Sequence, residues 1–260
     1  MENTRRNKGQ FIVIAALMIS ILIVSIGVIM YGSVTYFRHE RWEEYLSLID
    51  TLKISSHRVV AISLANYTLS MNENALKDNL NKWRINITRA YGGSGIVLYP
   101  ELAEGPHQIY NLTINYSQGL SSNWHSNVSF SAANVTLQMN ITSIGLTGYK
   151  FISTLLVREE ILSAVYDNPN NILTVKLALD KEDLIPITDL PKSSFSLNIN
   201  LNGQWQSSNF SLSQYYDSTP SIGRFIFELQ SDNISSQPSD VSVAVTEARN
   251  IKVVSNCTVT

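Results

Sequence analysis

Cysteine and charge are both scarce in this chain, and each shortage limits what the protein can be. A single cysteine, Cys257, stands among 260 residues, so no intrachain disulfide can form and the fold must rest on its core. That excludes the small disulfide-stapled modules of secreted proteins. Charged residues make up only 15% of the chain, and Ser, Thr and Asn take the polar positions instead. Positive charge is not in excess either. From Tyr91 to Thr260 there are 8 Lys and Arg against 14 Asp and Glu, a mildly acidic stretch that argues against nucleic acid as a partner. Catalytic signatures are missing as well. There is no Gly-x-Ser-x-Gly elbow and no His-Glu-x-x-His pair among His39, His57, His107 and His125. Gly92-Gly-Ser-Gly95 lacks the Lys-Ser/Thr of a phosphate cradle and leads into no helical pattern. The sequence predicts no catalytic residue, no metal site and no cofactor, and hence no enzyme.

The longest gap in charge is the chain's most informative feature. No Asp, Glu, Lys or Arg occurs in the 29 residues between Lys8 and Arg38. At about 1.5 Å per residue a helix of that length reaches roughly 43 Å, more than the roughly 30 Å hydrocarbon core of a bilayer. A cleaved secretory signal would carry a shorter apolar run, about 7–15 residues, ending in small residues at the cut. Here the run ends in Met30-Tyr-Gly-Ser-Val-Thr-Tyr36. The sequence therefore predicts a retained single-pass helix with the lipid bilayer as its partner. Arg5, Arg6 and Lys8 against Glu2 place the N-terminus in the cytoplasm and the bulk of the chain outside the cell. Tyr31, Tyr36, Phe37 and Trp42 suit the outer interface.

The period of the apolar residues divides the remainder of the chain. Steps of three to four residues through Tyr45, Leu48, Leu52, Val59 and Ile62 predict an amphipathic helix continuing the span. A second helix is predicted over 74–90, with Leu76, Leu80, Trp83 and Ile87 on one stripe, Asn72 or Asn74 as cap and Gly92-Gly93 as stop. From about residue 96 the period becomes two, as in Phe195-Ser-Leu-Asn-Ile-Asn-Leu201, with turn clusters such as Asp167-Asn-Pro-Asn-Asn171 and Asn202-Gly203 between runs. Strands are predicted at 96–99, 108–117, 126–132, 134–142, 148–158, 172–180, 194–202, 208–213, 223–230, 240–247 and 250–258. The expected fold class is α+β: an N-terminal transmembrane helix continuing into a helical stem, then an antiparallel β-sandwich head of one sandwich or two. The expected organisation is a basic tail at 1–10, the span at 11–36, the stem at 37–92, a first β region at 96–165 and a second at 170–260.

Asn-x-Ser/Thr sequons occur ten times, at Asn66, Asn86, Asn111, Asn115, Asn127, Asn134, Asn140, Asn209, Asn233 and Asn256, roughly twice the number composition alone would give. All lie C-terminal to the span. In Tyr110–Tyr116 and Asn134–Thr142 apolar residues alternate with the sequon positions, which puts these asparagines on the solvent face of strands, where a glycan fits. The expectation is a cell-surface glycoprotein.

Arg6-Asn-Lys-Gly-Gln10 followed by the apolar helix resembles the class III signal of archaeal type IV pilin-like proteins. The resemblance covers about residues 5–35. It implies cutting by a prepilin peptidase between Gly9 and Gln10, with the helix kept on the mature protein. A β-rich head on a long N-terminal helix is also the pilin plan. The Glu that bacterial pilins carry at the fifth position after the cut is replaced here by Ile14. The stretch from Asn171 through Gly223-Arg-Phe-Ile-Phe-Glu-Leu229 to Val245 is similar to Ig-like surface modules. By these resemblances the protein is expected to act as a non-enzymatic structural or adhesion protein, with other pilin-like or envelope proteins as partners. The alternative is an extracellular receptor or solute-binding accessory of a membrane complex, which would need a concave pocket with convergent polar groups. The identity of any ligand is unknown from sequence.

Three features are left as site candidates. Glu159-Glu160 and Asp180-Lys-Glu-Asp183 are the tight acidic clusters, the second read as an exposed turn in preference to a Ca²⁺ site. Trp124, Trp205, Tyr215 and Tyr216 lie in or beside predicted loops and could stack on a ligand. Cys257 reads as inert.

Overall fold

Apolar, proline-free sequence explains the first element. The computed structural model of the protein describes residues 3–218 and 224–260, with side chains described outside 3–10 and 35–44. The chain divides into two compact units, Met1–Leu52 and Lys53–Thr260. Helix α1 is Asn3–Ser70. Its Ile- and Val-rich stretch is a poor helix former in water. In a bilayer the helix is the one single-segment arrangement that satisfies every backbone amide internally. Phe11–Val34 is a 24-residue segment with mean hydropathy 3.1, long and apolar enough to cross a membrane, and none of it is buried by the rest of the protein.

In the second unit, helix α2 (Ala75–Ala90) buries Ala75, Leu76, Leu80 and Trp83; of the predicted stripe, Leu76, Leu80 and Trp83 are buried and Ile87 is half-buried. Asn72 begins the turn that leads into it, its Oδ1 accepting the Asn74 amide at 3.0 Å, whereas the Asn74 side chain makes no cap. The Trp83 indole donates to Ser55 Oγ at 3.3 Å and the Asn79 amide to Ser63 Oγ at 3.0 Å, which fixes α2 on the last turns of α1.

Among the described residues fourteen strands come next. They are β1 (Ile96–Leu102), β2 (Gly105–Ile109), β3 (Leu112–Tyr116), β4 (Leu120–Asn123), β5 (Val128–Ile141), β6 (Leu146–Asp167) and β7 (Ile172–Lys181). Then come β8 (Ile185–Pro186), β9 (Phe195–Leu201), β10 (Gln204–Ser208), β11 (Ser211–Asp217), β12 (Arg224–Ser231), β13 (Asp240–Thr246) and β14 (Lys252–Thr258). An eight-stranded sheet runs β1-β5-β6-β7-β12-β11, with β4 beside β5 and β8 beside β7. A four-stranded sheet runs β10-β9-β13-β14, and β2-β3 is a separate hairpin. The paired strands are antiparallel throughout. The fold is thus α+β, an N-terminal apolar helix followed by an antiparallel β domain.

The second sheet lies against the first through apolar rings and a polar link. The rings of Phe195 of β9 and Phe227 of β12 lie 5.2 Å apart, tilted at 46°, and Ser131 Oγ of β5 donates to the Lys252 carbonyl of β14 at 2.7 Å. Leu177, Leu179, Leu229, Leu197, Val243 and Val253 are fully or almost fully buried. Each such side chain contributes about 1.5–3 kcal/mol. On the opposite face the β2–β3 hairpin covers part of the large sheet, and Ile114, Tyr116, Phe130, Ala132 and Leu156 form one cluster there.

The strands differ from the predicted ones where tertiary cover changes. Runs 126–132 and 134–142 form the single strand β5. Phe130 to Ala133 are all buried because both faces are covered, by the hairpin on one side and β14 on the other, so the alternation that marks a half-buried strand lapses there. The predicted strand 108–117 is a hairpin instead. It turns at Tyr110 and Asn111, both left-handed at φ 47° and 65°, the backbone of a two-residue reverse turn. The 148–158 strand extends to Asp167 as β6, and β6 pairs with β7 along ten positions, so strands from both sides of 165–170 share one sheet.

Candidate functional site

The acidic clusters come together in the structure, with arginines that the sequence does not single out. Strand alternation puts Arg158 and Glu160 of β6 on one face, Asp180 of β7 beside them, and Arg224 of β12 beyond. Arg158 reaches Glu160 at 2.8 Å and Asp180 at 3.4 Å. Arg224 reaches Glu160 at 2.5 Å and also pairs with Asp180. The four groups close a ring of two cations and two anions across three strands. Burial by itself would lower the Arg224 pKa, but its hydrogen bond to Glu160 and the charge of Asp180 outweigh that and raise it. Asp180 is 5% exposed, so it belongs to the sheet and not to the exposed turn expected for 180–183. Arg249 forms a second bridge, to Glu182 at 2.9 Å and Glu247 at 2.7 Å. The ring balances its charges internally, whereas the second bridge sets one cation against two carboxylates, and each ties neighbouring segments together. The one local signal is a lone Arg between apolar strand residues, as in Gly-Arg-Phe-Ile-Phe. Its partners lie 44 and 64 residues away, beyond any local pattern.

Glu159 points to the other face. It is fully buried, and neither carboxylate oxygen meets a partner, nor does the hydroxyl of buried Ser255. Burial raises its pKa well above the ordinary carboxylate value; Ser255 opposes the rise without making a hydrogen bond of normal geometry. Tyr116 is pushed up to about 12 by burial.

A cleft of about 590 Å³ opens under the β2–β3 hairpin, lined by His107, Ile109, Tyr110, Asn134, Ile152 and Glu182 among others. The Tyr110 hydroxyl donates to Asp183 at its mouth, and this bond raises the tyrosine pKa. The candidate aromatics do not converge on it. Trp124 donates to Ser131 Oγ at 3.0 Å and Tyr215 to Glu228 at 3.0 Å, while Trp205 and Tyr216 are 49% and 63% exposed on β10 and β11. His57 lies 3.5 Å from Ser153 Oγ, and His107 sits edge-on to Tyr116. Among the described residues no group of three His, Cys, Asp or Glu could hold a metal ion. Cys257 is partly buried, and burial pushes its thiol pKa up, away from reactivity.

The ten sequons separate by environment. Asn66, Asn86, Asn111, Asn115, Asn127, Asn209 and Asn233 are exposed. Asn134, Asn140 and Asn256 are half-buried. Asn134 Oδ1 accepts from Thr154 at 3.2 Å, Asn140 Oδ1 accepts the Gly148 amide at 2.7 Å, and Asn256 Oδ1 is enclosed without a partner. Gly9 and Gln10 fall in α1, where side chains lie outside the described residues, as do those of Tyr36, Phe37 and Trp42. No known protein family matches the chain, and comparison with curated proteins gives no match.

Proposed function

We propose that this is a membrane-anchored, pilin-like cell-surface protein, non-enzymatic and glycosylated, with a structural or adhesive role. The observation that carries the reading is the segment Phe11–Val34. It is apolar on every side, entirely unburied, and preceded by Arg6-Asn-Lys-Gly-Gln10. A helix of this kind needs a bilayer or the helices of neighbouring subunits around it. In this reading the basic tail stays in the cytoplasm and the β domain, an Ig-like sandwich in its second half, stands outside the cell and contacts envelope partners. The exposed sequons suit a glycan coat. The cleft under the hairpin favours a second reading, an accessory that receives an extracellular ligand.

Mass spectrometry of the N-terminal peptide from protein purified out of its native membrane tests the proposal. A mature chain starting at Gln10 is the expected result. A start at Met1, or loss of Met1 alone, reduces the reading to a plain signal-anchored surface protein. A start beyond Tyr31 removes the anchor and overturns it.

A further inference from the structure

The first half of β6 has a free edge. Strand β5 pairs with it from Tyr149 through Glu160, but β7 joins on the other side only from Val157 onward. At Lys181 the chain leaves that lane, turning through Glu182–Leu184 to β8, which pairs back on β7. The lane beside Tyr149–Leu156 therefore holds no strand among the described residues. It is about 27 Å long at roughly 3.4 Å per residue.

Two hydrogen bonds show which backbone groups face the lane. The Leu156 amide points into it and is met by Glu182 Oε1 at 3.1 Å. Across the pair, the Asn134 amide turns away from β6 to the Gly119 carbonyl at 2.8 Å, so Asn134 and Thr154 exchange no hydrogen bond. Amides two residues apart point the same way. The N–H and C=O groups of Lys150, Ile152 and Thr154 thus open into the lane. Natural edges are blunted by charge, proline or bulges. Here Lys150 guards one end, but Ile152 in the middle is an isoleucine 67% exposed.

The lane has a wall on each face. On one face lies the cleft under the hairpin, where Ile109, Ile152 and Leu156 present apolar surface. On the other lies a cleft of about 410 Å³ between the strand and the last turns of α1, lined by Lys53, Ser56, His57, Phe151 and Ser153 among others. Lys53 Nζ stands 5.5 Å over the Tyr149 ring there. A residue opposite Ile152 would point to the hairpin side, and its neighbours to the Lys53–His57 side.

We propose that the Lys150–Thr154 edge of β6 is a strand-addition site for an extended peptide of another protein, with apolar side chains facing the hairpin and acidic ones facing α1. Main-chain pairing supplies the attachment, and the two unlike walls supply the choice of sequence. The proposal concerns only the second unit and holds whether or not the N-terminal helix is processed.

The test uses the full chain in detergent and a capped nine-residue probe, Ser-Val-Glu-Val-Glu-Val-Glu-Val-Ser. Saturable binding should slow hydrogen exchange at the amides of Lys150, Ile152 and Thr154 at least tenfold. A probe with Lys in place of Glu should bind at least tenfold more weakly, and the double variant Lys53→Glu, His57→Glu should reverse that order. Both positions lie on the surface of α1, and circular dichroism checks that the variant folds. N-methylating the probe at every second residue should abolish binding in one phase and spare it in the other, because an added strand pairs along one edge only. Four results overturn the proposal: no saturable binding, equal binding in both phases, equal binding of the Glu and Lys probes, or protection of the three amides before any peptide is added. The last would mean that a second copy or another part of the chain already covers the edge.

Discussion

Glu159 lies between Arg158 and Glu160 in sequence, yet its side chain faces the inter-sheet core while theirs meet in the ion-pair ring. A buried carboxyl whose pKa is raised in the folded state binds its proton more tightly there than in the unfolded chain. Its cost to stability is absent below the ordinary Glu value and grows as pH rises above it, by at most about 1.4 kcal/mol per pH unit, until the folded pKa is passed. Glu159→Gln removes this titration. Thermal unfolding of wild type and variant at pH 5 and pH 8 should show the variant gaining more at pH 8. An equal difference at both would mean that Glu159 is not held protonated. The sequons give a second prediction at this scale. Glycopeptide mapping should find glycans among the seven exposed asparagines and none at Asn134, Asn140 or Asn256, whose side-chain amides are engaged or enclosed. Alternation marks the polar face of β5 correctly. It does not show that Thr154 and Gly148 already occupy the asparagines on that face.

Two hairpins show what local sequence can and cannot reveal about elements. Asn202-Gly203 reads as a turn and is one, joining β9 to β10 with both residues left-handed at φ 54° and 83°. Gly203→Val forces a β-branched residue into that region and should cost about 1–2 kcal/mol, read as a shift in the denaturant midpoint at unchanged slope. No such shift would mean that the turn relaxes to another type. Tyr110-Asn111 makes the same kind of turn but reads as strand. Tyrosine is a strand former, and the apolar alternation passes straight through it. The turn is held by tertiary contacts instead, the Tyr110 hydroxyl on Asp183 and the packing of Ile114 and Tyr116 on β5 and β6. Helix α2 is legible because its buried stripe, its stop and the Asn72 turn before it are all local. The ion-pair ring and the open edge of β6 are not, since both depend on which strands become neighbours.

For the molecule as a whole, strand order matters more than strand identity. The sequence suggests a boundary at 165–170, where Asp167-Asn-Pro-Asn-Asn171 makes a turn. The structure uses that turn to join the two central strands of one sheet. Neither 96–167 nor 168–260 expressed alone should therefore fold. Each should lack near-ultraviolet dichroism and dispersed amide resonances, and a folded fragment of either would refute this. The segment Lys252–Thr260 makes the dependence stronger. Its first amide donates to Thr68 across 184 residues at 3.1 Å, the Ser131 hydroxyl reaches its first carbonyl across 121, and Thr260 exchanges backbone hydrogen bonds with Ala164 and Tyr166. Contacts this distant in sequence close slowly and late. Until residues 252–260 leave the ribosome, the inner face of the large sheet lacks its neighbouring strand. A chain of this design completes its fold only after that segment has emerged. Until then it stays open and threadable, the state that passage through a narrow channel requires.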